Sequence, residues 1–138
     1  MTYELIERLP TPQEHHALFE AVGWQPYTPE ETAAALANTL YGVVAMRDGQ
    51  PIGMARVIGD RGKFYYIQDF AVRPEHQGQG VGGAMLERLL AFIRAAAPGD
   101  AFVGLFATPT AIPFYRQYGF EPHSDMLAGM WTVLHRTA

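Results

Sequence analysis

The spacing of apolar and polar positions changes period several times along the chain, and each change marks an element. Tyr3-Glu4-Leu5-Ile6-Glu7 alternates and predicts a first strand that ends at Pro10. Thr11 and Pro12 then open a helix through Ala17, Leu18, Phe19, Ala21 and Val22, closed near Gly23. A loop with two large aromatics, Trp24 and Tyr27, follows. Thr28-Pro29-Glu30-Glu31 offers a capping hydroxyl, a proline at the first helical position and carboxylates in the first turn. A second helix therefore runs through Ala34, Leu36, Ala37 and Leu40. Residues 41–46 read as a strand, and Arg47-Asp48-Gly49-Gln50 as a hairpin turn with the Asp-Gly signal. Residues 51–58 return as its partner. Beyond a turn at 59–62, the aromatic and β-branched run at 64–72 predicts another strand, stopped by Arg73-Pro74.

In the second half, Met85, Leu89, Phe92, Ile93 and Ala96 recur at i, i+4, i+7, i+8 and i+11, one face of a long helix. Pro98-Gly99-Asp100 breaks the chain before a buried strand at 102–106. A short helix is predicted at about 110–117, then a final strand or hairpin over 120–135. There are no repeats, low-complexity tracts or linkers. The order β-α-α-β-β-β-α-β-α-β predicts one α/β domain over residues 1–138, with a mixed central sheet and helices on both faces.

Between the strand at 64–72 and the long helix lies His76-Gln77-Gly78-Gln79-Gly80-Val81-Gly82-Gly83, with four glycines in six residues. So much backbone freedom is costly unless something approaches the main chain closely. At a helix N-terminus the N–H groups lack partners and the dipole is positive, which suits a phosphate or pyrophosphate. The competing reading is a loop that needs positive φ. Gly78-x-Gly80-x-x-Gly83 spells the dinucleotide fingerprint, but five residues separate it from its strand and no acid ends a second strand about twenty positions on. A P-loop is excluded because no Lys-Ser/Thr follows the glycines.

Gln77-x-x-Gly80-x-Gly82 resembles the Arg/Gln-x-x-Gly-x-Gly/Ala pyrophosphate loop of the GCN5-related N-acetyltransferases (GNAT). Val72-x-Pro74-x-x-Gln77-Gly78 sits in the register those enzymes use. A second block, Ala111-Ile112-Pro113-Phe114-Tyr115-Arg116-Gln117-Tyr118-Gly119-Phe120, resembles their A-x-x-F-Y-x-x-x-G-F segment, in the family's order and roughly its spacing. The resemblance covers about residues 41–122.

The resemblance implies a GNAT-like fold whose central sheet is splayed at a β-bulge, with acetyl-CoA as the acyl-donor substrate. Its pyrophosphate would lie on Gln77, Gly78, Gln79, Gly80, Val81, Gly82 and Gly83. Its pantetheine arm would pair like an extra strand with backbone freed around Phe70, Ala71 and Val72. A backbone N–H near Val72 would polarise the thioester carbonyl. Tyr115 is the implied general acid for the leaving thiolate, against the alternative that it only packs its helix on the sheet. Phe114 and Thr108 join the expected cofactor contacts. Thr108 stands where the family often has asparagine, and a hydroxyl replaces only part of an amide's bonding. Many relatives have a glutamate base where Gln68 stands, so Asp69 or a water chain must take the amine proton. Burial would raise the Asp69 pKa; its other reading is to hold backbone amides. The acceptor, a small-molecule amine, is expected among Trp24, Tyr27, Tyr66 and Gln68. Trp24 would otherwise pin its loop to the core.

Composition narrows the rest. Ten basic against fourteen acidic residues give a net charge of −4, unsuited to coating nucleic acid. Neither a secretory leader nor an apolar run of about 18–20 residues is seen, so no membrane role is expected. The absence of cysteine removes disulfides, thiolate ligands and a cysteine nucleophile. It leaves the compartment open, with the cytoplasm as default. His15, His16 and His135 read as exposed, and no metal is assigned. A homodimer is compatible with these features. Two other readings remain: a catalytically silent acyl-CoA sensor, and a nucleotide-binding domain of another kind.

Overall fold

The computed structural model describes residues 2–136. The chain divides into two compact units, Met1–Leu105 and Phe106–Ala138.

The first unit holds a five-stranded sheet in the order β1-β2-β3-β4-β5. Its strands are β1 (Glu4–Ile6), β2 (Tyr41–Arg47), β3 (Gln50–Gly59), β4 (Phe64–Val72) and β5 (Phe102–Gly104). Neighbours are antiparallel except β4 and β5, which run parallel, so the sheet is mixed as expected. The helices are α1 (Pro12–Ala21), α2 (Pro29–Ala37) and α3 (Val81–Ala96).

Local chemistry explains these boundaries. Thr11 and Thr28 each accept from the backbone N–H three residues on, and Glu14 and Glu31 reach back to the cap N–H groups, two complete capping boxes. Glu14 also meets Arg8 at 2.7 Å. The β2–β3 hairpin turns on Asp48 (φ 51°) and Gly49 (φ 74°), two consecutive positive angles that match the twist of the strands.

Helices cover both faces. Leu18 and Phe19 of α1 pack with Met54 and Ala71 on one. On the other, Gly53 has no side chain because a Cβ there would stand 3.2 Å from Met85 Sδ and from the Ala71 carbonyl oxygen. The buried stripe of α3 is Val81, Met85, Leu86, Leu89 and Ile93. Phe92, expected in that stripe, lies at its margin and stacks on Tyr41 at 4.5 Å.

The second unit begins with a 3₁₀ turn, Pro109–Ala111, which runs into the one-turn helix α4 (Ile112–Arg116). Gly119 ends it at φ 92°, and the Phe120 N–H returns to the Tyr115 carbonyl. The strand or hairpin expected over 120–135 is corrected: no strand forms there among the described residues. Strand-forming side chains make a strand only when a neighbouring backbone completes the ladder, and residues 121–136 are exposed throughout. No helix among the described residues is long and apolar enough to cross a membrane.

Candidate active site

The site grows from a break in the β3–β4 ladder. Arg56 pairs with Gln68 and Met54 with Ala71, so Asp69 and Phe70 together oppose the single residue Ala55. This is a β-bulge. Asp69 takes φ 56°, a left-handed angle that aspartate tolerates better than most residues. In a regular strand Gln68 and Asp69 would point to opposite faces. The bulge turns both toward α1, and Gln68 Nε2 donates to Asp69 Oδ1 at 3.0 Å.

Three further donors converge on the same carboxylate. Arg56 Nε and His15 Nε2 each reach Asp69 Oδ2 at 2.8 Å, and the Tyr27 hydroxyl reaches Oδ1 at 3.2 Å. An ionised carboxylate only accepts, so the His15 proton sits on Nε2, which leaves the buried Nδ1 without a partner. Burial pushes the Asp69 carboxyl upward, but the bonds from His15 and Arg56, the Arg56 charge and Gln68 together bring it down to about 2. The raised value expected from burial is therefore corrected. Asp69 stays ionised and holds a proton poorly. Burial and the Asp69 charge raise the Tyr27 phenol.

Sequence reasoning missed two members of this cluster. His15 read as exposed, yet it is only 1 % accessible. The signal was its spacing, since 15, 18, 19 and 22 share one face of α1. Arg56 was the other: a lone charge inside the apolar run of β3 calls for an acid on the adjacent strand.

The splay is visible in the pairing. β5 meets β4 only from Phe64 to Tyr66, so along residues 67–72 that edge of β4 has no partner strand among the described residues. Phe70 and Val72 are half-buried there, and Ala71 is buried against Met54. Beyond it, a 3₁₀ turn (Pro74–His76) leads into the glycine loop. Gly78 (φ 75°) and Gly80 (φ 87°) both need glycine for their angles, and a Cβ at either would meet nothing within 4 Å. Gly80 caps α3 without a side-chain bond, and no acid occupies the first turn. The first N–H groups of α3, on Val81, Gly82 and Gly83, thus face an open positive helix end. Gln77 Nε2 donates to the Val72 carbonyl at 2.9 Å and ties the loop to β4. Gln79 is exposed.

The second unit carries Thr108, Phe114 and Tyr115. The Tyr115 ring lies 5.0 Å from Phe114 and 5.9 Å from Phe120, edge to face in both pairs. Burial pushes its phenol up to about 12. Phe114 also faces Tyr118 at 5.6 Å. Thr108 is exposed, 3.4 Å from the Thr110 hydroxyl.

Of the residues expected to line the acceptor, Tyr27 and Gln68 come together on Asp69, while Trp24 packs edge-on against Phe19 at 5.1 Å. Trp24 thus helps pin its loop. Tyr66 is half-buried on β4. No group of three or more His, Asp or Glu among the described residues is placed to hold a metal ion.

The Asp69 cluster generates a stability test. The folded carboxyl, near 2, lies below the ordinary 3.8, so its contribution of about 2 kcal/mol is complete above about pH 4 and is lost as pH falls toward 2. Asp69→Asn leaves the Arg56 charge buried and unmatched, and should lower unfolding free energy at neutral pH by about 3–5 kcal/mol. Its acid limb between about pH 4 and 2 should be flatter than the wild type's in denaturant titrations. Equal midpoints and equal acid limbs would show that the cluster does not hold the fold.

Comparison with known proteins bears directly on this geometry. Residues 38–122 match the acetyltransferase (GNAT) domain. The chain is 34% identical over 119 residues to serotonin N-acetyltransferase 2, chloroplastic, of Oryza sativa subsp. japonica, covering 82% of this chain and 58% of that protein. It is 32% identical over 126 residues to histone acetyltransferase TAP1 of Glycine max, covering 83% and 54%. The chain thus spans a little over half the length of these relatives. Among solved structures, a Staphylococcus aureus protein named "Probable Acetyltransferase" superposes with a TM-score of 0.89 at 31% identity, over 96% of this chain and all of that one. A GNAT family acetyltransferase from Streptococcus pneumoniae gives 0.82 at 24% identity over 98% of this chain, a likeness of fold. The family model covers well over half of the chain and the relatives agree with it: the chain belongs to the GNAT acetyltransferase family.

Proposed function

We propose that this chain moves an acetyl group from acetyl-CoA directly to the amine of a small molecule. The observation that carries the reading is the continuous path along β4, whose edge away from β3 has no partner strand over 67–72 among the described residues and leads into a glycine loop at a helix N-terminus without a side-chain cap. An extended amide-containing arm pairs with the first, and a pyrophosphate accepts from the second. A solved GNAT acetyltransferase from Brucella melitensis holds acetyl-CoA, which agrees with that assignment. All 138 residues are proposed to work as one catalytic domain.

In this reading the amine nitrogen attacks the acetyl carbonyl carbon, the carbon–sulfur bond breaks with its electron pair on sulfur, and the departing thiolate is protonated from the water that receives the amine proton. Tyr115 supplies the donor at sulfur. With its phenol near 12, it stays protonated across the working range and acts as a hydrogen-bond donor to the developing thiolate. Asp69, held near 2, fixes Gln68 and Tyr27 instead of taking the amine proton, which passes to water. The rate should therefore rise with pH toward the pKa of the amine itself, about 10 for a primary alkylamine.

The aromatic residues of the acceptor side favour an arylalkyl or other small amine over a basic peptide. The match to a serotonin acetyltransferase supports that class, whereas the match to a histone acetyltransferase supports a protein lysine. One observation favours the silent sensor: the carboxylate expected as base is locked in an ion pair. Thiol release from acetyl-CoA over a panel of arylalkylamines, polyamines, amino acids and histone peptides decides among these. Turnover with a small amine supports the proposal, preference for peptides redirects it, and tight CoA binding without turnover establishes the sensor.

Two variants probe the parts. Gly80→Asp places a carboxylate and a strained left-handed residue at the loop, and should abolish CoA binding in calorimetry while circular dichroism stays native. Undiminished affinity in the folded variant would remove the loop from the site. Tyr115→Phe should lower kcat by roughly 10²–10⁴-fold with CoA affinity nearly unchanged. Turnover at the wild-type rate would make the tyrosine structural.

A further inference from the structure

The Asp69 carboxylate has no room for another donor. An ionised carboxylate offers about four lone-pair sites. Arg56, His15, Tyr27 and Gln68 supply one donor each, and the side chain is only 1% accessible. The Gln68 amide beside it is in the opposite condition. Gln68 is half-buried, on the stretch of β4 where the β5 ladder has ended. An amide can lie in two ways, and only one of them avoids setting its oxygen against an ionised oxygen. That one puts Nε2 on Asp69 Oδ1, at 3.0 Å. The ion pair that holds Asp69 ionised thereby fixes the polarity of the neighbouring amide. Its Oε1 is turned away from the carboxylate, and among the described residues it accepts no hydrogen bond.

We propose that Gln68 Oε1 receives an N–H of the acceptor amine, and that this contact selects primary amines over secondary ones. The inference rests on the acetyl transfer proposed above. When the nitrogen attacks, its lone pair forms the new bond to the acetyl carbon and the nitrogen becomes positive. A primary amine then carries two N–H groups. One donates to Oε1 while the other loses its proton to water, so the contact lasts until the amide product has formed. A secondary amine carries a single N–H, which cannot be held by Oε1 and released to water in the same step. Because positive charge develops on the donor, the bond strengthens between the bound amine and the transition state. Oε1 takes up no proton at any point, so Gln68 orients the nucleophile and is not its base. Glutamine suits the position better than glutamate, whose charge would stand against ionised Asp69.

Thiol release from acetyl-CoA with phenethylamine and with N-methylphenethylamine tests this, on the wild type and on Gln68→Met. The wild type should favour the primary amine. Methionine has nearly the same length and at most a weak acceptor. The variant should lose roughly 10–100-fold in kcat/KM for phenethylamine and little for the N-methyl amine, the loss expected for one hydrogen bond to a charged group. CoA affinity, the circular dichroism spectrum and the shape of the pH–rate curve should stay as in the wild type. Equal use of both amines by the wild type overturns the proposal. So does a variant that keeps the preference, a loss equal for the two amines or matched by weaker CoA binding, or an altered pH–rate curve. Calorimetry of phenethylamine with the CoA-loaded protein separates the contact from the reaction. Should neither amine turn over, binding that Gln68→Met weakens supports the contact and overturns only the transfer. Binding that the substitution leaves unchanged overturns the contact.

Discussion

One buried carboxylate accepts from four side chains that arrive from four parts of the chain. His15 comes from α1, Tyr27 from the loop before α2, Arg56 from β3 and Gln68 from β4, and all end on Asp69. Arg56 extends the reach. Its Nη1 donates to the Thr39 hydroxyl at 3.0 Å and to the Ala35 carbonyl at 3.4 Å, at the C-terminal end of α2, where a helix favours positive charge. A charge this deeply buried is tolerable only with every partner in place. The cluster therefore fixes how α1 and α2 lie on the sheet, and it holds a backbone angle that the strand alone would not choose.

That angle has consequences at both ends of β4. Up to residue 66 the strand pairs with β5 as well as with β3; over 67–72 only the β3 ladder continues, and the Gln77 side chain ties the glycine loop back to Val72. The two ends are electrostatically opposite. At the bulge an anion is surrounded by protein donors and needs nothing more. At the loop, the N-terminus of α3 has neither a side-chain cap nor an acid in its first turn, so its N–H groups and dipole keep their positive character. A single strand thus connects a satisfied charge, which gives rigidity, to a positive helix end, where the proposed pyrophosphate site lies. The site depends on the first to hold the second in place.

What could be read from the sequence divides by range of interaction. Thr11 with Glu14, Thr28 with Glu31, and the Asp48-Gly49 turn act within three or four residues, so both helix starts and the hairpin were legible. The glycine loop was legible for the same reason. The sign of the Asp69 shift was not, because it depends on Arg56, 13 residues away, and His15, 54 residues away. Burial alone argues for a raised carboxyl; the partners reverse it. His15 was misread by residue type although its position on the α1 stripe was correct for the core. The strand over 120–135 failed for a related reason: propensity can be read locally, whereas a ladder partner cannot.

The same cluster bears on what kind of amine the proposed acceptor side would admit. A basic peptide is drawn to a surface with carboxylates to spare, and a small apolar amine to one without them. Here the nearest carboxylate is already matched by a guanidinium at 2.8 Å and is almost inaccessible, so the acceptor side gains almost no negative field from it. What remains is aromatic. Phe19 lies within 5.0 Å of Tyr27 and 5.1 Å of Trp24, and His15 stacks on Phe19 at 4.5 Å. Phe19 and His15 are buried and back the half-buried Trp24 and Tyr27, whose rings would favour an aryl or alkyl body on the proposed acceptor side over a string of cations. In the proposed mechanism, the ion pair that keeps Asp69 from taking the proton also matches the charge that a lysine-rich substrate would seek. On the proposed reading, the missing base and the preference for a small amine both follow from that one buried contact.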